Sequence, residues 1–166
     1  MGNTGASSPV PGNGFANTAK KEKTVDGCYN STIVNAPADE VWKAIRDFHV
    51  VPWAEGVVTS CTAVGDVAGD QVGARRVLNE AFHETLRTLD DDMREFTYTI
   101  DDGPGPVAKE VVQAYVGRVR VLPVTDSDTS FVEWESTYRS ADPGAVGEFC
   151  NPIYVALLGA LKKHFS

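Results

Sequence analysis

The sequence predicts an α+β fold in which a seven-stranded, curved antiparallel sheet wraps a long C-terminal helix, and three observations predict it. Six extended segments follow one another between residues 57 and 139, parted by Gly, Asp or Pro clusters, and strands in such an unbroken series pair antiparallel. A seventh strand and a short helix precede them. From Pro143 onward the apolar side chains recur at i, i+3, i+4 and i+7 over a stretch long enough to cover one whole face of that sheet.

The first strand is read over residues 28–34, where Thr32, Ile33 and Val34 form a β-branched run that Asn35-Ala36-Pro37 then breaks. A helix follows. Pro37 suits a first helical position, Asp39 and Glu40 place negative charge in the first turn, and Val41, Ile45 and Phe48 share a face with Trp42 at its edge. Pro52 closes this region, and Trp53-Ala54-Glu55-Gly56 is long enough only for a turn.

The meander reads as strands at 57–65, 72–80, 84–90, 94–101, 111–122 and 129–139. Alternation sets their phase: Phe96, Tyr98 and Ile100 fall on one face, against Glu95, Thr97 and Thr99 on the other. With Arg118 and Arg120 turned to water, Gln113, Tyr115, Gly117, Val119 and Val121 point inward; Val132, Trp134, Ser136 and Tyr138 do the same in the last strand, with Glu133 and Glu135 outside. The terminal helix carries Val146, Phe149, Cys150, Ile153, Tyr154, Leu157, Leu158, Leu161 and Phe165 on its apolar face, and Asn151-Pro152 predicts a kink or a fresh helix start within it.

At 166 residues the chain has room for one domain. Residues 1–24, rich in Gly, Asn, Ser and Pro with few apolar side chains, are expected to form a disordered tail, leaving 25–166 as the domain. Met1-Gly2 does not make a myristoylation signal, because position 6 is Ala where Ser or Thr is needed. The longest uncharged apolar runs fall short of the ~20 residues of a membrane span, so no integral membrane association is expected. A net charge of −8 repels phosphate backbones and argues against a nucleic-acid partner. Cys28, Cys61 and Cys150 are odd in number, widely spaced and without a secretory leader before them; they read as buried free thiols in a cytoplasmic protein.

Two local patterns fail the test of their chemistry. His83-Glu84-Thr85-Leu86-Arg87 has Arg where a zinc helix needs its second His, and its surroundings read as strand, so no metal is expected. Gly103-Pro104-Gly105-Pro106-Val107-Ala108 matches a dinucleotide turn in its glycines, but its prolines remove amide donors and a strand follows; no cofactor is expected. No G-x-S-x-G elbow, phosphate loop or kinase set is present. What remains is a set of polar groups on an apolar inner face, Glu84, Tyr98, Gln113, Tyr115, Ser136 and Tyr138. Two readings are open: a hydrogen-bonded core network, or the wall of a hollow that orients a small molecule. Trp53, Trp134, Phe149 and Tyr154 carry the same pair of readings, as packed core or as aromatic lining.

Several stretches resemble one family. Val34-Asn35-Ala36-Pro37-Ala38-Asp39-Glu40-Val41-Trp42, Glu84-Thr85-Leu86-Arg87-Thr88-Leu89-Asp90-Asp91, Tyr98-Thr99-Ile100 and Val132-Glu133-Trp134 are similar, in order and spacing, to the START-like helix-grip (SRPBCC) superfamily. That superfamily takes in polyketide cyclases and dehydrases, MxaD-like bacterial proteins, the birch pollen allergen and plant abscisic acid receptors. The resemblance spans residues 28–165 and implies a helix-grip fold with a hydrophobic cavity between sheet and helix. In the receptor branch the counterparts of Glu84 and Tyr115 point into the ligand pocket. That branch also has a ligand-reading lysine where this chain has Glu55, and a gate loop where it has Asn79-Glu80-Ala81-Phe82-His83, so hormone perception is not implied.

The expected function is therefore binding or carriage of a small hydrophobic ligand, with Trp53, Glu84, Tyr98, Gln113, Tyr115, Trp134, Tyr138, Phe149 and Tyr154 as lining candidates. The alternative is a polyketide cyclase or aromatase. There Glu84 would move protons, its carboxyl raised toward a useful range by an apolar wall, and Tyr115 or Tyr98 would hydrogen-bond an enolate. A third class is an interaction module acting through outer carboxylates such as Glu133 and Glu135.

Overall fold

The computed structural model describes residues 26–166, and the expected tail, residues 1–24, lies outside them. Strand β1 (Gly27–Val34) leads into helix α1 (Ala38–Ile45), then β2 (Cys61–Val64), β3 (Arg75–Leu78), β4 (Phe82–Asp90), β5 (Glu95–Asp102), β6 (Val112–Val124), β7 (Thr129–Ser140) and helix α2 (Pro143–His164). The seven strands form one antiparallel sheet in the order β1-β7-β6-β5-β4-β3-β2. Only the first strand leaves chain order, by pairing with the last. The sheet wraps α2, which buries Val146, Cys150, Tyr154, Leu157, Leu158 and Leu161 in the core.

Helix α1 forms where its residues predict it. Pro37 flanks it as the N-cap instead of opening it, Asp39 and Glu40 occupy the first turn, and Val41, Trp42 and Ile45 are buried. Trp42, expected at the edge of the face, lies inside, because its Nε1 donates to Asp91 Oδ1 at 2.8 Å and so satisfies the indole.

Strands β2 and β3 are shorter than the 57–65 and 72–80 expected. The amides of Val57 and Val58 donate to the Ala54 carbonyl, and those of Thr59 and Ser60 donate to the Asn79 side chain, so none is free for a ladder until Cys61. Ahead of β3, Gly73 takes φ 95, outside extended geometry.

Two bulges decide which side chains face inward. In β4 the register slips between Leu86 and Thr88, leaving Arg87 as the extra residue, so Glu84, Leu86 and Leu89 all reach the core side with spacings of two and then three. In β6 a slip between Gln113 and Val116 centres on Ala114, at φ 52. Strict alternation put Gln113 inward with Tyr115. The bulge instead turns Val112 and Tyr115 inward and leaves Gln113 exposed, which corrects that expectation.

Helix α2 starts at Pro143, capped by Asp142 Oδ1, which accepts from the Ala145 amide at 3.1 Å. It continues through Pro152 without a second start. By length and composition it is also the one helix among the described residues apolar enough to cross a membrane; here its inner face is covered by the sheet. Cys28 and Cys150 are buried free thiols, whereas Cys61 is only partly covered.

Candidate ligand cavity

Between the concave face of the sheet and α2 lies a hollow of about 290 Å³, near the lower end of the ~300–1,000 Å³ usual for small-molecule sites. Its deep wall is built by Tyr98 of β5, Tyr115 of β6, Trp134 of β7 and Tyr154 of α2, with Arg76 and Glu84 to one side. The mouth opens among Val57 and Val58, the β3–β4 turn at Asn79, and Pro152, Ile153 and Ala156 of α2. Aliphatic and aromatic carbon makes up most of the surface, and among the described residues Arg76 and Glu84 are the only charged ones that line it.

The deep wall is a chain of hydrogen bonds. An indole N–H can only donate, so Trp134 Nε1 donates to the Tyr98 hydroxyl, at 2.9 Å. The Tyr98 proton is then free for the Tyr154 hydroxyl, 3.4 Å away, and Tyr154 in turn bonds Tyr115. Burial pushes all three phenols well above the ordinary value of 10, so they stay protonated and bring no charge into the hollow. Tyr98 owes its position to Gly117, its partner across the β5–β6 ladder: a Cβ there would run into the Tyr98 ring. Tyr115 is held from behind by Tyr138, with near-parallel rings 5.6 Å apart.

Glu84 and Arg76 sit opposite each other on β4 and β3. Arg76 Nε donates to Glu84 Oε2 at 2.7 Å, Arg76 Nη1 donates to the Phe48 carbonyl at 2.9 Å, and the guanidinium lies 3.7 Å from the Phe48 ring centroid. Both side chains are buried. Burial pushes the Glu84 carboxyl up and Arg76 opposes it, with burial the larger effect.

The structure thus brings six of the nine expected lining residues to one cavity, Trp53, Glu84, Tyr98, Tyr115, Trp134 and Tyr154. Tyr138 is behind the wall, and Phe149 packs beside it against Phe82, with ring centroids 6.3 Å apart. Gln113 is exposed and takes no part. Among the described residues, no group of three His, Cys, Asp or Glu side chains is placed to hold a metal ion. The outer carboxylates Glu133 and Glu135 are tied to Arg118, at 3.9 and 2.7 Å.

Two contributors escaped sequence reasoning. Arg76 is one of an Arg-Arg pair in a short strand, and only its i, i+2 relation to the buried Leu78 signals that it points inward. Asn79 sits at the mouth with φ 52, a conformation Asn tolerates better than most residues. Its Oδ1 accepts from the Thr59 and Ser60 amides at 2.7 and 3.3 Å, and its Nδ2 donates to the Val57 carbonyl at 3.1 Å. One side chain thereby fastens the 57–60 loop to the β3–β4 turn.

The family model for "Polyketide cyclase / dehydrase and lipid transport" matches residues 28–166, and the chain belongs to that family. A solved protein of Nitrosospira multiformis is similar over 84% of this chain and 96% of its own, with 42% identity and a TM-score of 0.82. The protein XoxI of Bacillus cereus has 24% identity and a TM-score of 0.69, covering 84% of this chain and 94% of that one. Norcoclaurine synthase of Thalictrum flavum shares the fold at 17% identity and a TM-score of 0.64, over 82% of this chain and 84% of the enzyme. No curated protein matches the chain.

Proposed function

We propose that this protein binds a small, largely apolar molecule in the hollow between the sheet and α2. The observation that carries the reading is a concave face left unfilled: aromatic side chains ring about 290 Å³ of space where a plain core would interdigitate to crystal-like density. Membership of a family described by cyclisation, dehydration and lipid transport supports the same reading. Isothermal titration against fatty acids, isoprenoids, flavonoids and aromatic polyketides tests it. At least one of these classes binds the folded protein at one site per chain; if none does while the fold stays intact, the reading is wrong.

The second reading is an enzyme of the cyclase type, and the buried Glu84 favours it. A carboxyl whose proton affinity is raised by burial, at the wall of an apolar hollow, is suited to taking a proton from the carbon beside a ketone. Arg76 would hold the ionised form, and the Tyr115 hydroxyl, at the end of the hydrogen-bonded chain in the same wall, would donate to a developing enolate. Turnover separates the two readings. Unchanged ligand recovered after long incubation means binding alone, whereas a cyclised or dehydrated product that disappears in Glu84→Gln means catalysis.

A further inference from the structure

Cys28 is the second residue of β1, an edge strand, and Cys150 lies in α2. Both are buried, free and part of one core cluster. Strand and helix are tied together beside them, since Asn30 Nδ2 donates to Asn151 Oδ1 at 2.9 Å. A side-chain hydrogen bond joins the two thiols across this seam. Neither sulfur has a part in ligand binding or in the cyclase reading, and among the described residues no group of three His, Cys, Asp or Glu side chains makes the pair a metal site.

A buried thiol is ordinarily inert, because apolar surroundings disfavour the thiolate that does the chemistry. Cys28 departs from that rule. The hydrogen bond from Cys150, with a smaller one from Ser136, outweighs burial and brings its thiol from 9.0 down to about 6. Cys150 is pushed up in return, by Cys28 and by burial, so it keeps its proton while Cys28 gives its own up. The other titratable groups at the pair, Tyr115 beside Cys150 and Tyr138 beside Cys28, are raised by burial and stay neutral. The third cysteine, Cys61, is raised by burial, and its thiol meets the Phe48 carbonyl at 3.9 Å instead of a second thiol.

We propose that Cys28 and Cys150 are a redox-active dithiol, which hydrogen peroxide converts to a disulfide between β1 and α2. In the first step the Cys28 thiolate attacks the peroxide. A sulfur–oxygen bond forms, the oxygen–oxygen bond breaks, and the leaving hydroxide takes up the proton Cys28 released, as water. The Cys150 sulfur then displaces the oxygen from the Cys28 sulfenic acid, and that oxygen departs with the Cys150 proton as a second water. Two thiols are oxidised and one peroxide is reduced. The sulfurs have only to close from hydrogen-bond contact to the roughly 2.05 Å of a disulfide. This assignment does not depend on what the hollow binds.

The test treats the folded wild type with hydrogen peroxide at neutral pH, then alkylates in denaturant and maps the peptides. The Cys28 and Cys150 peptides should become linked about tenfold or more faster than Cys61 is modified, and dithiothreitol should return every thiol. Cys61→Ser should form the same link. Cys150→Ser should stop at the first step, leaving a sulfenic acid on Cys28 that dimedone traps, and Cys28→Ser should form neither product. In the unaltered protein the rate of linkage should follow a group that titrates near 6 and not near 9.0, a readout that needs no variant to fold. Cysteines that all stay free under excess peroxide, a link that involves Cys61, equal oxidation of Cys28, Cys61 and Cys150, or a rate that climbs only toward 9.0 each overturns the assignment and leaves the cavity reading standing.

Discussion

Gly117 and Tyr98 face each other across β5 and β6, and the tyrosine ring fills the space that a side chain at 117 would need. The phenol can reach Trp134 and Tyr154 because its partner strand presents bare backbone at that point. A glycine in mid-strand ordinarily weakens a sheet by roughly 0.5–1 kcal/mol relative to Ala. Here the sign is expected to reverse. Gly117→Ala forces Tyr98 aside and should destabilise the protein by about 1–3 kcal/mol, read from urea midpoints at unchanged slope. A gain in stability would show that Tyr98 is not held by this contact.

Tyr154 stands between Tyr98 and Tyr115, so removing its hydroxyl leaves two buried groups short of a partner. Tyr154→Phe should cost about 1–3 kcal/mol despite keeping the ring. Tyr115→Phe removes one of the same bonds, so the double variant should lose less than the two single losses combined, by at least about 0.5 kcal/mol. Strict additivity would mean that the hydroxyls act separately.

The buried pair makes a pH prediction with a definite sign. The Glu84 carboxyl lies above its ordinary value of 4.5 in the folded protein, because burial outweighs Arg76. A carboxyl that binds its proton more tightly folded than unfolded contributes stability that is fully present below 4.5 and is lost as pH rises through the folded value. The stability difference between wild type and Glu84→Gln should therefore be largest near about pH 4 and shrink toward neutrality. A difference that grows with pH would show that Arg76 dominates instead. Arg76→Leu strands a buried carboxylate and should cost about 3–5 kcal/mol at neutral pH, less in acid.

At the mouth, Asn79 bridges the 57–60 loop and the β3–β4 turn. Asn79→Ala removes the bridge and places Ala at a positive φ, while Asn79→Gly removes the bridge alone. Both should speed release of a bound probe in stopped-flow measurements. Asn79→Gly should restore part of the roughly 1–2 kcal/mol that Asn79→Ala loses. If release is unchanged in both, the loop does not gate the hollow.

Most of the fold was legible because its signals are local. Alternation through Phe96, Tyr98 and Ile100, and through Val132, Trp134 and Ser136, sets two strands in phase without any knowledge of their neighbours. The helical period from Val146 to Leu161 does the same for α2. The misses are places where a non-local bond or a single unusual dihedral decides. Gln113 was misplaced because alternation cannot register an extra residue at Ala114. The strand expected from residue 57 does not begin until Cys61, because Asn79, some twenty residues on, claims the amides of Thr59 and Ser60. Arg76 escaped notice because a charged residue in a strand reads as solvent-facing until its partner Glu84 is found beside it.

The most direct test of the account plugs the hollow. Ala156 is exposed on α2 and lines the mouth, so Ala156→Trp can obstruct entry without disturbing the core. Isothermal titration of wild type and Ala156→Trp with the best-binding member of the apolar panel, at matched thermal stability, gives the answer. The account predicts one site per chain in the wild type and at least a tenfold loss of affinity, about 1.4 kcal/mol, in the plugged variant. Equal binding by both proteins would place the ligand elsewhere and contradict the cavity.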